Sequence, residues 1–192
     1  MNWKIFLMAL LVLGNVSLGQ KRFDEATGYF QKSLEIDSKY AAAYFGLANM
    51  YQVKGQRDQA IRAYRKVLEM APNDAASRNN LAWLLVEEKG TQPEALQLAQ
   101  KALELRPGDG RIMDTVGWVY YQQGNLQEAE KQFRSASELL PHEPTIQYHV
   151  GLVAYKQGRS VEASSAFKRA LLINPEFTEA AAARRLIKEL GG

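Results

Sequence analysis

Apolar residues in this 192-residue chain fall at helical spacing, and the spacing recurs in blocks. Tyr44, Leu47, Ala48 and Tyr51 share one face of a helix. The same face returns along the chain as an aliphatic residue followed by a small one: Leu13-Gly14, Leu47-Ala48, Leu81-Ala82, Val116-Gly117 and Val150-Gly151. A second apolar stretch then centres on Ala26, Ala60, Ala95, Ala129 and Ala163, at intervals of 34, 35, 34 and 34 residues. Four residues after each alanine stands a ring, Phe30, Tyr64, Phe133 or Phe167, with Ala99 in the third block. Gly55, Gly90, Gly124 and Gly158 mark the middle of four blocks, and Pro72, Pro107, Pro141 and Pro175 close four. Glycine admits the left-handed backbone that ends a helix, and proline stops one by lacking an N–H. Each block therefore predicts a pair of helices. One pair cannot bury its apolar faces alone, so neighbouring pairs must stack.

This pattern resembles the tetratricopeptide repeat family over almost the whole chain. The resemblance implies an all-α fold, a right-handed α-solenoid of about five helix pairs over residues 7–40, 41–74, 75–109, 110–143 and 144–177. A capping helix at 178–190 would complete a single solenoid spanning 1–192, with Ala180, Ala183, Ile187 and Leu190 as its apolar stripe. Two blocks depart from the pattern. The third has one extra residue in its turn, where Thr91 and Glu94 read as a capping box around Pro93. In the first, Ser17 replaces a larger apolar residue, and Lys21 stands where the turn glycine is expected.

The first block supports two readings. Trp3-Lys4, the apolar run Ile5 to Leu13 and the small-residue stretch Ser17-Leu18-Gly19 fit a secretory signal peptide over 1–19, and with it a periplasmic or secreted protein. The favoured reading makes residues 7–20 a structural helix with Leu10, Leu13 and Gly14 on its core positions, and expects a cytoplasmic protein. The run is too short for an integral membrane span, which needs about 20 apolar residues. As a structural helix it would be exposed, which expects self-association through the N-terminal helix.

Charge and composition narrow the class of function. Lys and Arg number 24 and Asp and Glu 21, scattered in both signs, so nothing resembles the basic surface that nucleic acid requires. No cysteine is present, which excludes disulfides and thiolate chemistry. His142 and His149 have no partner at metal-ligand spacing and read as structural or solvated. No nucleophile turn or phosphate loop occurs; Gly108-Asp109-Gly110 lacks the lysine and reads as an inter-repeat turn. No catalytic residue, cofactor or metal is expected, and the chain reads as a non-enzyme.

By the resemblance, the first helix of each pair lines a concave groove, and its non-core positions face a ligand. Those positions are Asn15 in the first repeat, Phe45, Asn49 and Gln52 in the second, and Asn79, Asn80, Trp83 and Val86 in the third. The fourth supplies Arg111, Asp114, Trp118 and Tyr121, and the fifth Tyr148, His149, Leu152 and Tyr155. Asparagine offers donors and acceptors to the backbone of an extended peptide, and the rings offer rigid apolar area. The rings of Trp83, Trp118 and Tyr155 alternatively pack between adjacent repeats. The expected function is a scaffold binding a peptide or helix of a partner protein. The stretches Asn80 to Leu85, Asp114 to Tyr120 and Tyr148 to Gly151 are similar to bacterial members linked to envelope assembly or polysaccharide export. The alternative is a regulatory or targeting segment of a larger enzyme or longer array. One subset of the family grips chaperone tails with a lysine and arginine clamp. Asn15 and Asn49 match it, but Leu11, Ala76 and Asn80 stand at the basic positions, which implies no tight binding of such tails.

Overall fold

The computed structural model describes residues 3–88 and 90–191. These form eleven α-helices and no strand: α1 (Trp3–Gly19), α2 (Phe23–Ile36), α3 (Ala41–Val53), α4 (Arg57–Met70), α5 (Ala75–Leu85), α6 (Gln92–Leu105), α7 (Gly110–Gln122), α8 (Leu126–Leu139), α9 (Pro144–Lys156), α10 (Ser160–Ile173) and α11 (Ala180–Glu189). The chain divides into two compact units, Met1–Leu85 and Val86–Gly192. In the first, α1 packs on α2, α2 on α3, α3 on α4 and α4 on α5. In the second, the same neighbour-to-neighbour packing runs from α6 to α11. No helix among the described residues is long and apolar enough to cross a membrane.

The periodic alanines explain how close the helices come. Ala26, Ala60, Ala95, Ala129 and Ala163 are wholly buried, as are the rings of Phe30, Tyr64, Phe133 and Phe167. Each Phe ring lies against a glycine of the first helix in its own repeat. A β-carbon on Gly14 would stand 2.5 Å from the Phe30 ring, one on Gly117 2.7 Å from Phe133, and one on Gly151 2.5 Å from Phe167. Phe30 also reaches the next repeat, where a β-carbon on Gly46 would stand 2.4 Å from it. A ring so enclosed contributes roughly 1.5–3 kcal/mol through burial.

The turn glycines adopt the backbone expected of them, with φ of 69° at Gly55, 87° at Gly90, 77° at Gly124 and 75° at Gly158. Lys21 holds the same place at φ 58°, the one non-glycine residue with positive φ among those described. Arg22 N donates to Ser17 O at 2.8 Å, as Gln56 N does to Tyr51 O, so both turns close with the same hydrogen bond.

Several local expectations are corrected. Among the described residues the first helix already includes Trp3 to Phe6, where nothing breaks a helix. Its core side is Leu7, Leu10, Gly14 and Ser17, while Leu13 is 45% exposed because no helix of the described chain covers that side. The Ser17 hydroxyl donates to Glu25 at 3.3 Å. Thr91 forms no side-chain cap on α6; its hydroxyl turns back to donate to Glu88 O at 2.8 Å. In α11 the deepest residues are Ala180, Ala183 and Leu186, with Ile187 and Leu190 partly buried.

Candidate functional site

In the first unit, Asn15, Phe45 and Asn49 come together on a cavity of about 580 Å³. Leu11, Val67, Ala71 and Ala76 supply its apolar wall, and Asp74 is its one carboxylate. Asp74 Oδ1 accepts from Ser77 N at 2.7 Å, which ties that carboxylate to the start of α5. The amides are organised by a ring from the core. The Tyr64 hydroxyl accepts from Asn80 Nδ2 at 3.0 Å, and its single hydrogen is directed at Asn49 Oδ1, 2.6 Å away, with Gln52 Oε1 at 2.9 Å. Asn49 therefore spends its carbonyl on Tyr64, and its N–H pair takes no part in that bond. Burial pushes the Tyr64 hydroxyl up to about 12 against the opposing hydrogen bond from Asn80, so it remains a donor. Phe45 meets the Tyr64 ring edge-on at 5.9 Å. Asn79 Nδ2 donates to Asn80 Oδ1 at 3.4 Å, and its own Oδ1 is buried without a hydrogen-bond partner among the described residues. Trp83 is half-buried on α5.

In the second unit the face is aromatic and partly closed. Trp118 stacks on Tyr121 at 5.2 Å and on His149 at 4.7 Å. His149 is buried, with Phe133 5.1 Å away, and its Nδ1 lies 2.7 Å from Asp114 Oδ1. Asp114 is 8% exposed, so the carboxylate expected to face a ligand instead faces the imidazole. Tyr148 is also withdrawn, at 8% exposed, between Phe167 at 5.5 Å and Phe177 at 6.0 Å. Val86 is buried as well. Leu152 and Tyr155 pack against the cluster that includes α11, and the Tyr155 hydroxyl donates to Glu189. Arg111 is exposed. Burial raises the pKa of Tyr121 and Tyr148, and the hydrogen bond to Glu189 raises that of Tyr155. The open part of this face is Trp118, Tyr121, Leu152 and Tyr155.

One recurring position escaped the reading of the sequence. Gly46, Asn80, Thr115, His149 and Ala183 repeat at 34, 35, 34 and 34 residues, the period of the alanines. Gly46 meets Phe30, Asn80 meets Tyr64, and His149 meets Phe133, each the ring of the preceding repeat. The signal was present as spacing, but the five residue types are too unlike to announce a shared place. Chemically, the two faces offer amide donors and acceptors beside apolar and aromatic area. No group of three or more His, Cys, Asp and Glu able to hold a metal occurs among the described residues.

Comparison with known proteins gives a consistent picture. Family models described as tetratricopeptide repeat match residues 17–84, 75–106 and 117–189. A segment of 51 residues is 39% identical to the anaphase-promoting complex subunit CDC16 of Saccharomyces cerevisiae, covering 27% of this chain and 6% of that protein. The chain thus spans less than a tenth of the length of the curated relatives it matches. Among solved structures, YrrB, described as a TPR protein with an unusual peptide-binding site, is similar with a TM-score of 0.67 and 26% identity, over 92% of this chain and 90% of its own. PilF of Pseudomonas aeruginosa is similar with a TM-score of 0.74 and 25% identity, over 96% of this chain and 88% of its own. Repeat spacing, helix pairing and these matches agree that the chain belongs to the tetratricopeptide repeat family.

Proposed function

We propose that the protein is a non-enzymatic scaffold that holds an extended segment of a partner polypeptide, with the first-unit cavity as a gripping point. The observation that carries this reading is the Asn15–Phe45–Asn49 wall of a cavity of about 580 Å³, with the Asn49 amide set by Tyr64. An amide that keeps its N–H donors suits a peptide carbonyl, and the surrounding Leu11, Phe45 and Val67 suit an apolar side chain. The lining holds no Lys or Arg, and Leu11 and Ala76 occupy it where a carboxylate clamp would need cations. The ligand is therefore neutral or basic. The Trp118–Tyr121 stack supplies a second, separate contact for an apolar side chain.

The test is a peptide array of neutral, basic and acidic fifteen-residue segments, followed by fluorescence polarisation. Binding at about micromolar Kd is expected for apolar segments with neutral or basic flanks. Asn15→Ala with Asn49→Ala should weaken it at least about tenfold, with melting unchanged within a few degrees. Equal binding by the double variant, or selection of acidic tails, defeats the proposal.

A part in bacterial envelope or export assembly is the finer reading, supported by the resemblance of Asn80 to Leu85, Asp114 to Tyr120 and Tyr148 to Gly151 to such bacterial members. Recovery of the native protein away from envelope fractions would remove it. The small share of CDC16 that is matched favours a second reading, a repeat segment working within a larger protein. The mass of the native polypeptide on an immunoblot separates the two.

A further inference from the structure

The outer side of α1 is apolar and uncovered in the described chain. Ile5, Met8, Val12 and Val16 are 65%, 64%, 57% and 48% exposed, and Phe6, Ala9 and Leu13 are also exposed beside them. The side is not arbitrary. Shifted by whole repeats, Ala9, Val12 and Val16 correspond to Ala43, Gly46 and Met50 on α3, to Ile112, Thr115 and Val119 on α7, and to Ile146, His149 and Val153 on α9. All nine of those residues are buried, and α3, α7 and α9 pack respectively on α2, α6 and α8, the second helices of the repeats before them. The uncovered side of α1 is thus the side on which α3, α7 and α9 each receive another helix.

Its pattern also fits a helix. Ile5, Ala9, Val12 and Val16 advance by four, three and four residues, the alternation that keeps an apolar seam facing a partner helix. We propose that the face is covered by α1 of a second copy, packed antiparallel about a two-fold axis. An isologous contact needs only one self-complementary patch, and this seam is one. Charge selects the direction. Lys4 is the only charged residue of α1 and sits in its first turn, and no basic residue stands in its last turn. A parallel pair sets Lys4 against Lys4 of the partner. An antiparallel pair sets each Lys4 at the other helix's C-terminal end, where the aligned peptide dipoles leave partial negative charge. The neighbouring Lys21, Arg22, Asp24 and Glu25 sum to zero and leave that preference intact.

Sedimentation of the full chain between about 1 and 100 µM tests the pair, with a rise towards twice the 21.6 kDa chain mass expected. Val12→Glu, at an exposed position, should keep the wild-type helicity and move the midpoint at least about tenfold higher. The chain lacks cysteine, so direction is read by cross-linking. The double variant Ile5→Cys with Val16→Cys should form a disulfide-linked dimer. The single variant Ile5→Cys should not, because antiparallel packing holds the two copies of residue 5 about 16 Å apart along the axis. A single-chain mass across the range overturns the proposal. So does rapid cross-linking of Ile5→Cys alone, or monomeric protein that sediments with phosphatidylcholine vesicles through a Val12-dependent contact, which would make lipid the occupant.

Discussion

Single residues here carry tasks that their type alone does not reveal. Lys21 occupies a left-handed turn position that its four counterparts fill with glycine. A β-carbon there costs about 1–2 kcal/mol, partly offset by the greater chain freedom that glycine loses on folding. Lys21→Gly should therefore stabilise the protein by about 0.5–1 kcal/mol, read as a higher urea midpoint at unchanged slope. Asp114 points the other way. Its carboxylate is enclosed against His149, so Asp114→Ala removes the hydrogen-bond partner of a buried imidazole nitrogen and should cost about 1–3 kcal/mol. Trp118, stacked on that imidazole, reports the change: the variant should lose near-ultraviolet circular dichroism while keeping its helical signal. Lys21 could be singled out from the sequence because its neighbours in phase are glycines. The Asp114–His149 pair could not, since residues 35 apart meet only once α7 and α9 lie together.

At the level of helices, polar links supplement the apolar faces. Glu130 on α8 lies between Arg159 Nη2 at 2.8 Å, Gln157 Nε2 at 3.1 Å and Arg134 Nη2 at 2.8 Å. Burial works against its charge, but the hydrogen bonds from Arg159, Gln157 and Arg134 prevail and hold its pKa below the usual carboxylate range. A carboxyl whose pKa is lower in the folded chain adds stability above its unfolded value, and that stability disappears as pH falls through the folded value. Glu130→Gln should accordingly cost about 1 kcal/mol at pH 7, and wild type and variant should converge in urea titrations as pH falls through the folded value. The helices themselves were legible: Ala26 to Ala163 and the four rings are all core, because ring-on-small contact requires that spacing. The face residues were legible only in part. Asn15, Phe45 and Asn49 do share a cavity, whereas Tyr148 is taken up by Phe167 and Phe177, and the packing of α11 there depends on contacts that no helical wheel of α9 contains.

On the scale of the chain, the break between the two compact units falls at Leu85–Val86, beside the turn that carries the extra residue. Glu87, Glu88 and Gly90 are exposed there. A glutamate-specific protease under native conditions should cut at this turn first and leave two fragments, each close to half of the chain; early cleavage within α8 or α10 would contradict the division. The recurring slot at Gly46, Asn80, Thr115, His149 and Ala183 has a wider consequence. A glycine admits Phe30, an amide answers the hydroxyl of Tyr64, and an imidazole lies beside Phe133, so these junctions are keyed to their own neighbours. Unequal crossing-over that dropped or doubled one module would confront a tyrosine with a threonine or a phenylalanine with an amide. Loss or gain of one module by such crossing-over should therefore carry a packing cost that an array of identical modules avoids.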